Sequence, residues 1–293
     1  MIKKQDQKFV VFSISPIMIV MSILLLGPLF YCIYLSLHSF NLTIPSSMGI
    51  FIGLKNFKNV ITDSLFLKSL RITLVFSFIT LILKLVIGLF IAMVLTKLGK
   101  VTTTIVLGLI IIPWAIPSVV NGLTWRWILN PYYGVFNGVL YSLGFIKDYI
   151  SLLTNPIIAM GAIVNAQVWK QLPLVIYLLF AALQSIPEDL LEAAEIDGAS
   201  PLRIFFNIII PFLKPTISVL LVIQTMESLR AFDTIYVLSQ GGPGTATYVI
   251  AWLTYCKAFR EFDFGQSSAL SLIILILTLI FSVIYIKFLA QKD

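Results

Sequence analysis

Charge is what this sequence has least of: Asp, Glu, Lys and Arg make up 11% of its 293 residues, where soluble domains carry about a quarter. A chain so poor in charge cannot coat a water-soluble globule of its length. Cysteine is nearly absent as well. Cys32 and Cys256, each in or beside an apolar stretch, supply neither a disulfide framework nor metal-ligand spacing. A single histidine, His38, leaves no His pair for a metal and no buried Ser–His–acid constellation. No catalytic set and no metal site is expected, and His38, at the end of the first apolar block, reads as an interfacial anchor. A GxxxxGK[ST] phosphate loop is also missing. The nearest string, Gly99-Lys100-Val101, lacks the upstream glycine and the hydroxyl residue that would meet magnesium, so the chain cannot hydrolyse ATP by that route.

What the sequence has is apolar length, with 59% hydrophobic residues and a mean hydropathy of +1.01. Windows long enough to cross a bilayer lie at 9–37, 72–96, 104–125, 156–183, 216–238 and 267–289. They predict an all-α polytopic membrane protein with six spans in a lipid bilayer and both termini on one side. The expected division is an N-terminal span with the first outer loop (1–71) and a five-span core (72–293). The net charge of +7 is scattered over short loops rather than gathered on one face, which speaks for membrane topology and against nucleic acid. The first block is too long for a signal-peptide core and no small-residue cleavage site follows it, so it reads as a retained anchor.

Orientation is not decided by counting charges. Lys3, Lys4, Lys8, Lys97, Lys100, Lys287 and Lys292 would share the cytoplasmic side under the positive-inside rule. Lys55, Lys58, Lys68, Arg71, Arg126, Lys147, Lys257 and Arg260 fall on the opposite face and nearly balance them.

The longest connection on the first side, residues 185–215, reads SIPEDLLEAAEIDGASPLRIFFNIIIPFLKP. Ser185 as a cap, Pro187 early, and Glu188 and Asp189 in the first turn predict a helix start. Gly198 supplies a left-handed stop, and Ser200-Pro201 caps and starts a second helix carrying Arg203. The expectation is helix, tight turn, helix. The small Ala193 and Ala194 beside Leu190 and Leu191 permit close approach of a partner, but the same cues also fit an amphipathic loop lying in the interface.

Glu192-Ala193-Ala194, Asp197-Gly198-Ala199 and Ile208-Ile209-Ile210-Pro211 resemble, in order and spacing, the EAA loop of binding-protein-dependent ABC import permeases. Gly53-Leu54-Lys55-Asn56-Phe57, Pro113-Trp114-Ala115-Ile116-Pro117, Trp125-Arg126-Trp127, Asn130-Pro131 and Gly134 resemble the carbohydrate branch of that family, with its maltose-type and glycerol-phosphate-type members. So do Phe232-Asp233-Thr234-Ile235-Tyr236, Gly241-Gly242-Pro243-Gly244 and Phe264-Gly265. The one departure noted is Ile210, where a leucine commonly precedes the proline.

The resemblance implies that the EAA helix sits in a cleft of an ATPase subunit. The loop and both termini are then cytoplasmic, and Glu192, Ala193, Ala194, Asp197, Gly198, Ala199 and Arg203 are the coupling residues. It implies as partners a second, similar permease subunit, two ATP-binding subunits and an extracytoplasmic solute-binding protein. ATP and Mg belong to the ATP-binding subunits, this chain binds no cofactor of its own, and its place is the bacterial cytoplasmic (inner) membrane. It would be a transport subunit rather than an enzyme, importing a sugar or sugar-like solute. An ion-coupled secondary transporter or channel would explain spans and buried charge but not this loop. An intramembrane hydrolase would need a catalytic pair that the sequence lacks.

Ionisable side chains inside spans are costly and point to function, and Lys84, Lys170, Glu227, Arg230 and Asp233 lie in or at the ends of spans. Stepping by three along one helix, Glu227, Arg230 and Asp233 would cover an arc of roughly 120°, with Gln224 and Ser228 beside them. Gln167, Lys170 and Gln171 share a face of the fourth span next to Trp169, where Pro173 is expected to kink the helix. Glu227, Arg230, Asp233, Gln167, Lys170 and Gln171, with Asn121, are the candidate solute contacts, since sugar hydroxyls need paired donors and acceptors. Two other roles fit the same residues: a Glu–Arg–Asp ion pair that packs span five, and interhelical hydrogen bonds from Gln167 and Gln171.

Overall fold

A computed structural model describes the backbone of residues 4–290 and the side chains of residues 13–287. Lys3 and Lys292, used above for orientation, lie outside the described residues, as do the side chains of Lys4 and Lys8. The described chain is mostly helical, because an apolar segment in lipid must satisfy its backbone within itself. Its helices are α1 (Lys4–Leu37), α2 (Lys55–Thr62), α3 (Ser64–Thr96), α4 (Lys100–Ile110), α5 (Ile112–Ala115), α6 (Ser118–Ile128) and α7 (Val135–Ser142). They continue as α8 (Pro156–Gln184), α9 (Glu188–Ile196), α10 (Pro201–Ile204), α11 (Ile210–Leu229), α12 (Asp233–Leu238), α13 (Ile250–Phe259) and α14 (Phe264–Ala290).

Among the described residues five helical stretches are long and apolar enough to span a bilayer, or six if one bent pair counts as a span. That pair lies over the third apolar window, 104–125, and is bent rather than straight. The chain runs from Lys100 to Ala115, breaks at Ile116-Pro117, and continues as α6 at 96° to the first part. Pro117 explains the break, since it pushes Ile116 into an extended conformation (ψ 131°) and then starts the next helix. The second span begins at Ser64, eight residues before the apolar window, because Lys68 and Arg71 are tolerated on its exposed face.

Two compact units are formed, one by Met1–Phe66 with Thr254–Leu275 and one by Leu67–Leu253 with Ile276–Asp293. In the first, α1 is followed by a short antiparallel pair, β1 (His38–Ser39) with β2 (Ile50–Phe51). The buried Asn56 donates from Nδ2 to the carbonyls of Ser36 (2.8 Å) and His38 (2.9 Å), closing the end of α1. Gly265 lies against that amide: a Cβ there would stand 2.8 Å from Asn56 Nδ2 and 2.9 Å from the His38 carbonyl oxygen. The Gly53–Phe57 and Phe264-Gly265 segments, far apart in sequence, thus meet at one hydrogen-bonded corner. His38 stacks on Tyr34 at 4.0 Å and pairs through Nδ1 with the Tyr34 carbonyl at 2.7 Å.

In the second unit α3 and α8 pack closely, with Ala92, Leu95, Val175, Ile176, Leu179, Leu213 and Leu220 forming a core with α11. The buried face of α3 is a row of small and polar residues at steps of three and four: Ser69, Thr73, Ser77, Thr80, Lys84, Gly88 and Ala92. Small residues let spans approach where no water is available to drive them together, leaving packing and hydrogen bonds to hold them. At Gly88 the approach is closest, since a Cβ would stand 2.7 Å from Val175 Cγ1.

Candidate functional site

The loop after α8 is built much as its residues dictate, with two corrections. Ser185 does not cap the short helix: its hydroxyl turns back to the Ala182 carbonyl at 2.7 Å and closes α8, while Pro187 occupies the cap position of α9. Proline fixes its own φ near the value needed to enter a helix and there has no N–H to satisfy. At the other end Gly198 takes φ +75°. Its N–H donates to the Glu195 carbonyl (3.0 Å) and the Ala199 N–H to the Ala194 carbonyl (2.9 Å), the double closure of a Schellman turn. The Ser200 hydroxyl then accepts from the Arg203 N–H at 3.4 Å, with Pro201 at the first helical position, as the sequence predicts.

The second helix is not a separate short element. It passes through a π turn at Phe205–Ile209 straight into α11. Pro211 has no N–H for the Asn207 carbonyl, and the wider turn takes up that gap. Glu192, Ala193, Asp197, Gly198 and Arg203 are exposed, Ala194 and Ala199 half-buried. No residue of α9 is buried. A cavity of about 910 Å³, lined by Met93, Lys97, Leu183, Leu191, Glu195 and Phe205, lies beside the loop.

The polar residues of the spans are arranged differently from the sequence expectation. Glu227, Arg230 and Asp233 do not share a helix: α11 stops at Leu229, Arg230 is its C-cap (φ −97°, ψ 7°), and Asp233 begins α12. Among the described residues no ion pair joins the three; those present link Lys257 to Asp63 and Glu261. The centre of the cluster is instead Lys84. Fully buried on α3, its Nζ donates to Gln171 Oε1 (2.7 Å), to Gln224 Oε1 (2.7 Å) and to Ser228 Oγ (3.5 Å). Ser228 Oγ also lies 3.1 Å from Thr80 Oγ1. Gln171 Nε2 donates to Glu227 Oε2 at 3.3 Å, and Glu227 is exposed on this chain. α3, α8 and α11 are therefore tied by one polar knot in which the three ammonium protons meet two amide oxygens and a hydroxyl.

The remaining candidates hold the bent span to α8. Asn121 Nδ2 donates to the Ala166 carbonyl at 3.2 Å, and Lys170 Nζ to the Trp114 carbonyl at 3.4 Å, beside the break. Trp125 packs edge-on against Trp169 with centroids 6.1 Å apart. Gln167 is buried on α8 one turn before Gln171. Of the candidate contacts, then, only Gln171 and Glu227 are joined by a hydrogen bond, while Lys170 lies within electrostatic reach of Glu227 and Asp233. Lys84, Gln224 and Ser228 form the heart of the cluster; the sequence singled out Lys84 as an ionisable residue inside a span, and the row of polar residues on α3 at helical spacing is the signal that would have turned it inward as the cluster's centre.

Apolar spans, one of them broken, around a buried polar knot and beside an exposed loop helix suit a transport subunit of the membrane. Residues 84–291 match the model of the family described as binding-protein-dependent transport system inner membrane component, and the chain belongs to that family of ABC importer permeases. It is 37% identical over 98% of its length, and 95% of the relative's, to the trehalose/maltose transport system permease protein MalF of Thermococcus litoralis. It is 33% identical over 98% of its length, and 92% of the relative's, to the sulfoquinovosyl glycerol transport system permease protein SmoG of Agrobacterium fabrum. A chain of a bacterial ABC transporter that imports the acidic polysaccharide alginate shares its fold, with a TM-score of 0.83 at 22% identity over 99% of this chain and 98% of the other.

Proposed function

We propose that the chain forms part of the passage for a sugar or sugar-like solute into the cytoplasm. It would do so as a six-span subunit of the bacterial cytoplasmic membrane with both termini and the 185–215 loop inside. Its partners in this reading are a second permease subunit, two ATP-binding subunits that hold ATP and Mg, and an extracytoplasmic solute-binding protein. The chain itself binds no cofactor. Glu192, Ala193, Ala194, Asp197, Gly198, Ala199 and Arg203 transmit the ATPase movement, and Glu227 with Gln171 meets the solute.

The observation that carries the coupling role is that α9 buries none of its own residues while Ile196 is 86% exposed on it. A helix fixed at both ends by caps, yet facing its apolar side chain outward, is suited to a partner's cleft. The trehalose, maltose and sulfoquinovosyl glycerol named for the relatives support a polyhydroxylated solute. ATP-driven closure of the partners would move α9 and, through the continuous helix from Pro201, shift α11 and its Glu227.

The test is to purify the chain with the proteins encoded beside it and measure ATP turnover with and without the solute-binding protein. Gly198→Pro and Glu192→Ala are expected to lose stimulated turnover or ATPase copurification while the membrane part still assembles. Normal assembly and full stimulation in both would remove the coupling role. Uptake of [14C]trehalose and [14C]maltose into proteoliposomes then reads the solute class.

A further inference from the structure

One buried group in the spans has no part in the transport scheme above: the ammonium of Lys84. Among the described residues its hydrogen-bond partners are all neutral, and the one carboxylate that acts on it, Glu227, does so through space rather than by contact. A neutral hydrogen bond such as Thr80 to Ser228 already ties α3 to α11 at 3.1 Å, so joining the spans does not require an ion, which is far more costly to keep in a dry interior. What a lysine adds is direction. An ammonium has donors only, so both amides must turn their oxygens toward it and their NH2 groups away. For Gln171 the NH2 group then points at Glu227 Oε2, 3.3 Å off. With the amide reversed, its oxygen would face the carboxylate and two acceptors would repel. The buried cation therefore sets the orientation of a side chain that touches an exposed carboxylate.

We propose that Lys84 is a positioning residue for solute passage: it fixes the Gln171 amide and, through it, holds the Glu227 carboxylate toward the hydroxyls of the passing solute. The inference rests on the solute-path reading of Glu227. Lys84 itself does not touch the solute.

The whole complex is purified with wild type, Lys84→Met, Lys84→Arg, Glu227→Gln and the Lys84→Met/Glu227→Gln double variant. Two quantities are read. Labelling of Glu227 by dicyclohexylcarbodiimide, followed by peptide mass analysis, reports the hold on the carboxylate without any solute. Uptake of [14C]trehalose and [14C]maltose reports half-saturation and maximal rate separately. Lys84→Met is expected to speed Glu227 labelling and to raise the half-saturating concentration about tenfold, the size of one hydrogen bond to a charged group. The maximal rate should change far less, the double variant should be no worse than the poorer single one, and Lys84→Arg should restore part of the loss.

Unchanged labelling in an assembled Lys84→Met complex, with uptake impaired by Glu227→Gln, overturns the Lys84 inference alone. Normal uptake in Glu227→Gln overturns the solute-path reading and the inference with it. Should Lys84→Met fail to assemble, Lys84→Met/Gln224→Met removes the second oxygen left without its donor; failure of that variant too makes Lys84 a folding residue and overturns the proposal.

Discussion

Replacing Gly88 with alanine adds one methyl group at the closest contact of α3 with α8. Its Cβ would stand 2.7 Å from Val175 Cγ1, 3.4 Å from Val175 Cβ and 3.6 Å from Leu172 Cδ1. Carbon atoms settle at about 3.5–4.0 Å, so only the first contact is badly wrong, by about an ångström. Val175 cannot easily yield: it is wholly buried, and a valine in a helix keeps one χ1 rotamer about nine times in ten. The helices must part instead, at the cost of overpacking, about 1–3 kcal/mol. The damage spreads along both helices. Lys84 is one turn before Gly88, Gln171 one turn before Val175, and their 2.7 Å hydrogen bond bridges the same seam.

The expected result is that Gly88→Ala lowers the thermal midpoint of the purified complex and impairs uptake together. Val175→Ala alone should cost about 1–2 kcal/mol through the cavity it leaves, yet the double variant should be more stable than Gly88→Ala, because the offending Cγ1 is gone. A double-mutant cycle then shows a favourable coupling of about 1 kcal/mol or more. Additive effects, or a Gly88→Ala complex as stable as wild type, would refute the argument that this glycine sets the distance between the two spans.

Three further outcomes follow from single contacts. Gly265→Ala places a Cβ against Asn56 Nδ2 and the His38 carbonyl and should lower assembly in fluorescence-detected size-exclusion, with Asn56→Ala costing about 1–3 kcal/mol by leaving two carbonyls unpaired. Gly198 has φ +75°, and a Cβ added to it would meet no described atom within 4 Å, so Gly198→Ala should cost only the left-handed backbone, about 1 kcal/mol, Gly198→Asn less, and Gly198→Val more, read by proteolysis of the loop. Lys257→Met removes pairings with Glu261 (2.7 Å) and Asp63 (4.0 Å); the change in thermal midpoint should correspond to less than about 1 kcal/mol and shrink in high salt.

Local grammar was legible in the sequence wherever the backbone itself carries the signal. Gly198, Ser200 and Pro201 end one helix and begin the next because φ, a hydroxyl acceptor and a missing N–H are properties of those residues alone. Ser185 failed because two caps competed for it. Its hydroxyl could face forward to α9 or back to α8, and Pro187, two residues on, already supplied the helix entry. The bend in the third apolar stretch went unread for the opposite reason: hydropathy averages over a window, and an average does not register that Pro117 turns the chain by 96° in the middle.

The polar cluster needed a different pattern from the one that drew attention. Charge at a step of three suggested that Glu227, Arg230 and Asp233 act as a stripe, but a stripe exists only while the helix does, and α11 ends at Leu229. Ser69, Thr73, Ser77, Thr80 and Lys84 lie on one unbroken helix and are all buried. A step of three or four among weakly polar residues in an apolar span marks the face turned to other spans, since lipid offers such groups no partner. Lys84 at the end of that row is therefore an inward-facing cation by sequence alone. Its acceptors were not legible, because Gln171 and Gln224 stand 87 and 140 residues away, and only the packing of three helices brings their oxygens to one nitrogen.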